Sequence, residues 1–236
     1  MHSEVLAGGH EAPQTRSFRR HLALILLAAA ALRVVYCFVV MDDPLSGDAG
    51  RYSAYGVTIA AGRGFADPFA DGPAAEHPPG AGLVQSVAPL ILPDDWTFGD
   101  HPAFVFGQRL TMAAVGVSAV AVLGLVGRRY RDDRLGLVVA GVAAINPLLW
   151  VNDGLLMSES LATLTIALVL LAALRAWDLA RTRDWALLGG VCGLAALVRS
   201  ETLLLCVVMI LPMIWWRSGR AWSNLWRWTG AAAIAV

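Results

Sequence analysis

The sequence predicts an all-α fold, a polytopic transmembrane helical bundle with a long outer loop that carries surface helices. The first observation is composition, because 57% of the residues are hydrophobic, 15% are charged and the mean hydropathy is +0.60. This exceeds what a water-soluble core of the same length requires. The second observation is that several apolar runs reach about 20 residues, enough for a helix to cross a bilayer core of roughly 30 Å.

Four apolar segments are predicted to span the membrane. A polar segment that ends in three arginines, 1–20, precedes the first of them and is expected to be a disordered cytoplasmic tail. No small-residue cleavage motif follows the first run, which favours an uncleaved helix over a signal peptide. The third and fourth spans are predicted to form a tight hairpin that turns at "NDG". The predicted spans are 21–40, 103–127, 135–151 and 155–176, and the turn is 152–154.

The distribution of arginine predicts the orientation of these spans. Segments 128–134 and 175–183 hold four and three arginines, whereas 41–102 holds two arginines and nine acidic residues. Because basic loops stay on the cytoplasmic side, the long loop 41–102 is expected to face outward and the N-terminus inward.

The stretch 186–216 contains two shorter apolar runs, 186–198 and 202–216, separated by "RSE" at 199–201. Each run covers roughly 20 Å, so the pair is predicted to form a short hairpin whose charged tip lies inside protein or beside water. The sequence ends within a further apolar run. We therefore expect it to be the N-terminal portion of a longer transmembrane domain that covers 21–236 here and is inactive alone.

Ionisable residues from several helices are predicted to lie in the outer half of the membrane. Arg33 and Arg109 each lie seven residues from the outer end of a span, about 10 Å deep. Glu159 begins the fourth span, and Arg199 and Glu201 lie at the hairpin tip. Each charge costs a few kcal/mol if it faces lipid, so pairing around a polar pocket is favoured. The alternative is that the arginines snorkel outward or pair with Glu159 only to fix helix register.

The outer loop is predicted to contain two short helices. The stretch 49–64 places Tyr52 and Tyr55 at helical spacing and is expected to lie on the membrane surface. A second helix follows the proline pair in 76–92. Asp48 stands at the start of the first helix, either as a functional carboxylate or as an ordinary N-cap.

Four motifs occur in an order that resembles a known family: "GDAGRYSAYGVTIAAGRGF", "EHPPGAGLVQ", "LMSESLATLTIALVLLAALRA" and "GLAALVRSETLLL". Together with the first span, they resemble the membrane glycosyltransferases of the GT-C fold. The similarity is greatest to bacterial relatives of the dolichyl-phosphate-mannose protein mannosyltransferases and the lipid A aminoarabinose transferases. It extends over about 17–230.

The resemblance implies that Asp48 is the catalytic base that accepts a proton from the acceptor hydroxyl. Arg199, and with it Arg109 or Arg33, would meet the charge of the leaving phosphate. Further substrate-binding candidates are Glu159, Glu201, Tyr52 and His77, although a histidine in a proline-rich turn also fits a structural role.

The implied donor is a sugar on a polyprenyl phosphate, and the implied acceptor is an envelope lipid, glycan or protein. The expected location is the plasma (inner) membrane, with the active site outside. We expect no cofactor, no nucleic acid partner and no metal site, since no His, Cys or carboxylate cluster has metal-ligand spacing. Buried charges in a helical bundle also fit a secondary transporter or lipid flippase, and a non-catalytic membrane scaffold is a third possibility.

Overall fold

The computed structural model describes residues 13–73, 76–92, 95–98, 101–219 and 222–236. Helices dominate these residues, which confirms the all-α prediction, and a two-residue hairpin pairs β1 (Thr97–Phe98) with β2 (His101–Pro102). The α-helices, in chain order, are α1 (Pro13–Val39), α2 (Gly47–Ala60), α3 (Gly80–Gln85), α4 (Val87–Ile91), α5 (Ala103–Tyr130), α6 (Asp133–Ile145), α7 (Pro147–Gly154), α8 (Glu159–Leu179), α9 (Thr182–Ala196), α10 (Leu211–Arg217) and α11 (Trp222–Ala235).

Several helices within the described residues are long and apolar enough to cross a membrane. The bent pair of α6 and α7, which meet at 50°, adds one further possible span. The chain is therefore a multi-pass membrane protein. The four continuous candidates are Arg16–Val39, Ala103–Tyr130, Glu159–Leu179 and Ser200–Arg217.

The predicted turn at 152–154 is wrong, because these residues belong to α7. The helix that begins at Asp133 stops at Ile145, since Pro147 disfavours a helical conformation at the preceding Asn146. Asn146 then caps α7 by accepting a hydrogen bond from the Leu148 amide at 3.1 Å. The chain turns at 155–158, immediately after the predicted turn.

Two other predicted boundaries differ from the structure. The described part of the predicted tail, 13–20, is already helical and belongs to α1, whereas 1–12 lies outside the described residues. The second arm of the predicted short hairpin is long enough to be a candidate membrane span, contrary to the prediction. A 3₁₀ turn, Ser200–Leu203, and a π-helical turn, Cys206–Ile210, join α10 to give 18 helical residues, Ser200–Arg217.

The centre of the bundle is α5, which packs against α1, α6, α7 and α8. Small residues allow α5 and α6 to approach closely, as is common between membrane helices. A side chain at Gly136 would lie 2.7 Å from the carbonyl oxygen of Gly124 and 3.0 Å from the Arg128 amide nitrogen. Only glycine fits at this crossing.

A second core joins α8, α9, α10 and α11. Trp185 is fully buried and stacks on Trp228 with ring centroids 5.4 Å apart. Leu188 and Ile214 fill the space beside this pair. This core holds α9, and with it the loop that carries Arg199, against α8.

The outer loop packs onto α5 through α3 and α4, and α2 packs against α3. Tyr52 and Tyr55 are buried and form a cluster with Ala81. Both rings therefore pack into the protein, and the location of this helix on the membrane surface stays a prediction. Burying the aromatic face fixes α2 against α3 and leaves Asp48 exposed.

Candidate functional site

Asp48 lies in the first turn of α2 and is exposed. Ser46, not Asp48, occupies the N-cap position, so the alternative of an ordinary N-cap is wrong. The Oδ1 atom of Asp48 lies 3.6 Å from Nε2 of His77. A carboxylate near the positive end of a helix and beside an imidazole can exchange protons with a bound hydroxyl.

His77 lies in the segment that leads into α3, and its ring faces the tyrosines of α2. Its ring is 5.0 Å from the ring of Tyr52 and 6.3 Å from that of Tyr55, measured between centroids. The proline pair that follows leads directly into α3, where the amide of Gly80 donates to the carbonyl of Leu197 at 2.7 Å. This hydrogen bond ties the histidine-bearing segment to the end of α9, two residues before Arg199.

Arg199 follows α9, and its side chain contacts three polar residues of the part of the chain that the structure describes. It forms an ion pair with Glu159, its Nη2 atom donates to Oγ of Ser158 at 3.4 Å, and Nη1 lies 3.5 Å from Oε1 of Glu201. The buried Nε of Arg199 and Oε2 of Glu159 have no hydrogen-bond partner among the described residues. The Arg199 side chain is 35% exposed, so its terminal nitrogens can still donate to a ligand.

Tyr52 connects the two halves of the site. Its hydroxyl group lies 3.3 Å from Oγ of Ser158, which in turn accepts from Arg199. The contacts form one continuous run from Asp48 through His77, Tyr52 and Ser158 to Arg199. We call this group the polar cluster; it comprises Asp48, Tyr52, His77, Ser158, Glu159, Arg199 and Glu201.

Arg33 and Arg109 make their contacts elsewhere. Arg33 forms a buried ion pair with Asp153, with Nε and Oδ2 2.7 Å apart. Arg109 donates to the backbone carbonyls of Val40 and Asp43, the latter at 3.0 Å. These two arginines hold helices and the start of the outer loop in place, and neither contact involves a member of the polar cluster.

The turn 155–158, which carries Ser158, is held by residues that the sequence analysis did not identify. Leu156 is buried and has a positive φ of 59°, a conformation that a leucine adopts only when its surroundings enforce it. Nε2 of Gln85 donates to the Leu156 carbonyl at 2.9 Å. Gln108 donates to the carbonyl of Gln85 at 3.1 Å and accepts from the Ser53 hydroxyl at 2.6 Å. Two glutamines in predicted apolar or surface helices could have indicated these contacts, because a buried amide requires hydrogen-bond partners.

Other parts of the described chain contain fewer groups that could take part in a reaction. A groove of about 690 Å³ between 207–215 and α11 is lined by apolar side chains and by Thr229. Among the residues that the structure describes, no group of three or more His, Cys, Asp or Glu could hold a metal ion.

Comparison with known proteins identifies the family. The sequence model of the dolichyl-phosphate-mannose-protein mannosyltransferase family matches residues 98–236, more than half of the chain. The match includes Glu159 and Arg199, whereas Asp48 and His77 precede it. No curated protein and no solved structure matches the chain. The chain therefore belongs to the dolichyl-phosphate-mannose-protein mannosyltransferase family, which consists of membrane glycosyltransferases of the GT-C type.

Proposed function

We propose that the protein transfers a sugar from a polyprenyl-phosphate donor to an envelope lipid, glycan or protein acceptor at the outer face of the plasma (inner) membrane. Membership of the family supports the general reaction, the transfer of a glycosyl group in a membrane. The observation that carries the finer proposal is the continuous run of contacts from Asp48 to Arg199. It joins an exposed carboxylate to a guanidinium group, the two kinds of group that this transfer requires.

Asp48 acts as the general base in this proposal. The acceptor hydroxyl oxygen attacks the anomeric carbon of the donor sugar, and its proton passes to the Asp48 carboxylate. The bond between the anomeric carbon and the phosphate oxygen breaks at the same time. His77, 3.6 Å from the Asp48 carboxylate, orients that carboxylate.

Arg199 binds the phosphate of the donor. The phosphate gains negative charge as it leaves, and a guanidinium group stabilises that charge through a fork of hydrogen-bond donors. Glu159 and Glu201 position Arg199 until the donor arrives, and Ser158 fixes one edge of the guanidinium plane. The leaving group is then a polyprenyl phosphate held at the arginine.

The outer loop contacts the end of α5 that lies opposite its arginines, which supports an extracytoplasmic site. Gln108 and Arg109, near the start of α5, contact the outer loop. Arg128 and Arg129 lie in the last turn, about 30 Å further along the helix axis. Since basic helix ends stay in the cytoplasm, the loop end of α5 belongs outside.

Replacement of Asp48 by asparagine in the full-length protein tests this proposal. We expect the rate of sugar transfer to fall by about 10²-fold or more, as for loss of a general base, while membrane insertion is unchanged. Asp42→Asn is the matched control, because Asp42 is an exposed carboxylate at the start of the same loop and also lies near a histidine, His101, at 3.8 Å. Transfer by Asp48→Asn at the rate of the control would overturn the assignment.

A further inference from the structure

The groove between 207–215 and α11 lies toward the end of the bundle that is opposite the polar cluster. α8 is 21 residues long, so its two ends are about 30 Å apart. Glu159, its first residue, pairs with Arg199 of the polar cluster. At the other end, Nε of Arg217 donates to the carbonyl of Trp177 at 2.9 Å. The segment that forms one wall of the groove therefore ends at the far side of the membrane from Arg199.

The walls of this groove are apolar and exposed. Val207, Leu211 and Trp215 follow one another at four-residue spacing on one wall, and Trp226 of α11 contributes to the other. These four side chains are between 44% and 67% exposed. Because the first wall belongs to a candidate membrane span, Ser200–Arg217, the groove is open to lipid. A hydrocarbon chain is the kind of molecule that such a surface accommodates.

Two arginines lie at one end of the groove. Arg217 and Arg227 follow Trp215 and Trp226 by two residues and one residue. Both contact the turn between α8 and α9, Arg217 through a backbone carbonyl of α8 and Arg227 through the hydroxyl of Thr182, 3.4 Å from its Nη2 atom. Each of these contacts uses one nitrogen of an exposed guanidinium group, so other N–H donors stay accessible.

The same turn has an excess of positive charge. Arg181 and Arg183 are also exposed there, so four arginines surround the turn. The acidic side chains beside them are Asp178 and Asp184, and each pairs with a different arginine, at 2.8 Å and 2.7 Å. Among the described residues, none of the four surrounding arginines forms an ion pair. A phosphate group would therefore meet several guanidinium groups that have no anionic partner.

We propose that this end of the bundle binds an anionic phospholipid of the adjacent leaflet, with its phosphate at Arg217 and Arg227 and an acyl chain in the groove. Tryptophan and arginine are the residues that membrane proteins place at the level of lipid headgroups. A zwitterionic lipid would bring its own cation close to four arginines, which is unfavourable. The site lies at the opposite end of α8 from Arg199, so it is separate from the proposed sugar transfer.

Lipid binding by the full-length protein in phosphatidylcholine nanodiscs tests the proposal. Cardiolipin is added stepwise, native mass spectrometry measures the lipid retained, and the melting temperature is recorded at each step. We expect saturable retention of cardiolipin and a rise in melting temperature, because a ligand that binds the folded state stabilises it. Retention of phosphatidylcholine equal to that of cardiolipin would overturn the proposal. Absence of saturable cardiolipin binding would overturn it too, and would leave the groove to another helix of the protein.

Replacement of the two arginines tests the headgroup contact. Arg217→Gln with Arg227→Gln should weaken cardiolipin binding about fivefold for each arginine removed. The matched control is Arg131→Gln with Arg134→Gln, two exposed arginines that lie beside Asp132 and Asp133 and do not line the groove. The rise in melting temperature on adding cardiolipin separates lost binding from lost stability, since each variant is compared with itself. Equal weakening in the two double variants would overturn the assignment.

Two adjacent tryptophans test the groove. Trp215 and Trp216 are 46% and 79% exposed, but only Trp215 lines the groove. We therefore expect Trp215→Ala to weaken cardiolipin binding more than Trp216→Ala does. Glycerol phosphate, which carries the phosphate without the chains, should not displace cardiolipin at equal concentration. Equal effects of the two tryptophan variants, or displacement by glycerol phosphate, would overturn the placement of an acyl chain in the groove.

Discussion

Nε of Arg33 donates to Oδ2 of Asp153 across 2.7 Å, and both side chains are 1% exposed. Arg33 also lies 3.3 Å and 3.4 Å from the carbonyl oxygens of Ala29 and Ala144. The pair therefore joins α1 to the last turn of α7, and Arg33 also contacts the end of α6. Because neither charge has access to solvent, each depends on the other for its stability.

Breaking this pair should destabilise the bundle. We expect Arg33→Met or Asp153→Asn to lower the free energy of unfolding by about 3–5 kcal/mol, because each leaves a buried partner without its counter-ion. The double variant should lose less than the sum of the two. Denaturation in detergent micelles measures these values. The control is Arg129→Met, which breaks the half-exposed pair with Asp178 at 2.8 Å and should cost at most about 1 kcal/mol. Equal effects at the two pairs would contradict this interpretation.

The Arg33 pair also illustrates how much the sequence could predict. Composition and apolar length predicted the helical membrane class and the approximate positions of the long spans. The depth of Arg33 predicts a partner, and the structure shows that this partner is Asp153, which the sequence instead places in the predicted turn 152–154. The error arose from the Asn146-Pro147 step, which bends the helix and carries Asp153 into the protein. The proline predicts that a helix bends or ends there, whereas the direction of the bend depends on packing.

The candidate site was predicted in part for similar reasons. Ordered motifs placed Asp48, His77 and Arg199 in one group, and the structure brings these residues into one run of contacts. Ser158 and Gln85 were missed, because a serine or a glutamine has no distinctive spacing in sequence. Their roles arise from contacts between residues 41 and 71 positions apart in the chain, which only the tertiary structure supplies.

Arg199→Ala should weaken use of the donor specifically. Loss of hydrogen bonds to a charged phosphate is worth about 1.5–3 kcal/mol, so the donor KM should rise roughly 10- to 100-fold. Arg199→Lys should lie between, because it retains the charge but not the fork of donors. Transfer kinetics at varied donor concentration measure both. Arg131→Ala, an exposed arginine beyond the far end of α5, is the control. A donor KM that Arg199→Ala leaves unchanged would limit Arg199 to its pair with Glu159.

Gln85→Leu should disturb the turn that carries Ser158. The variant leaves the buried carbonyl of Leu156 without its donor, at a cost of about 1–3 kcal/mol, and frees a residue held at a φ of 59°. We expect a lower kcat as well as a lower melting temperature, because the turn leads into Ser158 and Glu159. Asn152→Leu removes a side-chain amide that donates to a carbonyl within α7, and it should affect neither strongly. Full activity of Gln85→Leu would show that the turn keeps its shape without this hydrogen bond.

Gly80→Ala should separate the two halves of the polar cluster. A methyl group at Gly80 would lie 2.7 Å from the carbonyl oxygen of Leu197 and 2.9 Å from a methyl carbon of Val198, so α3 must move away from α9. That movement carries His77 away from Arg199 and should reduce transfer, measured in membranes at matched protein levels. Gly141→Ala is the control, since nothing lies within 4 Å of the added methyl and α6 should gain about 0.5–1 kcal/mol in helix stability. If Gly80→Ala transfers sugar as well as Gly141→Ala, the spacing between His77 and Arg199 does not limit the reaction, and the two residues act independently.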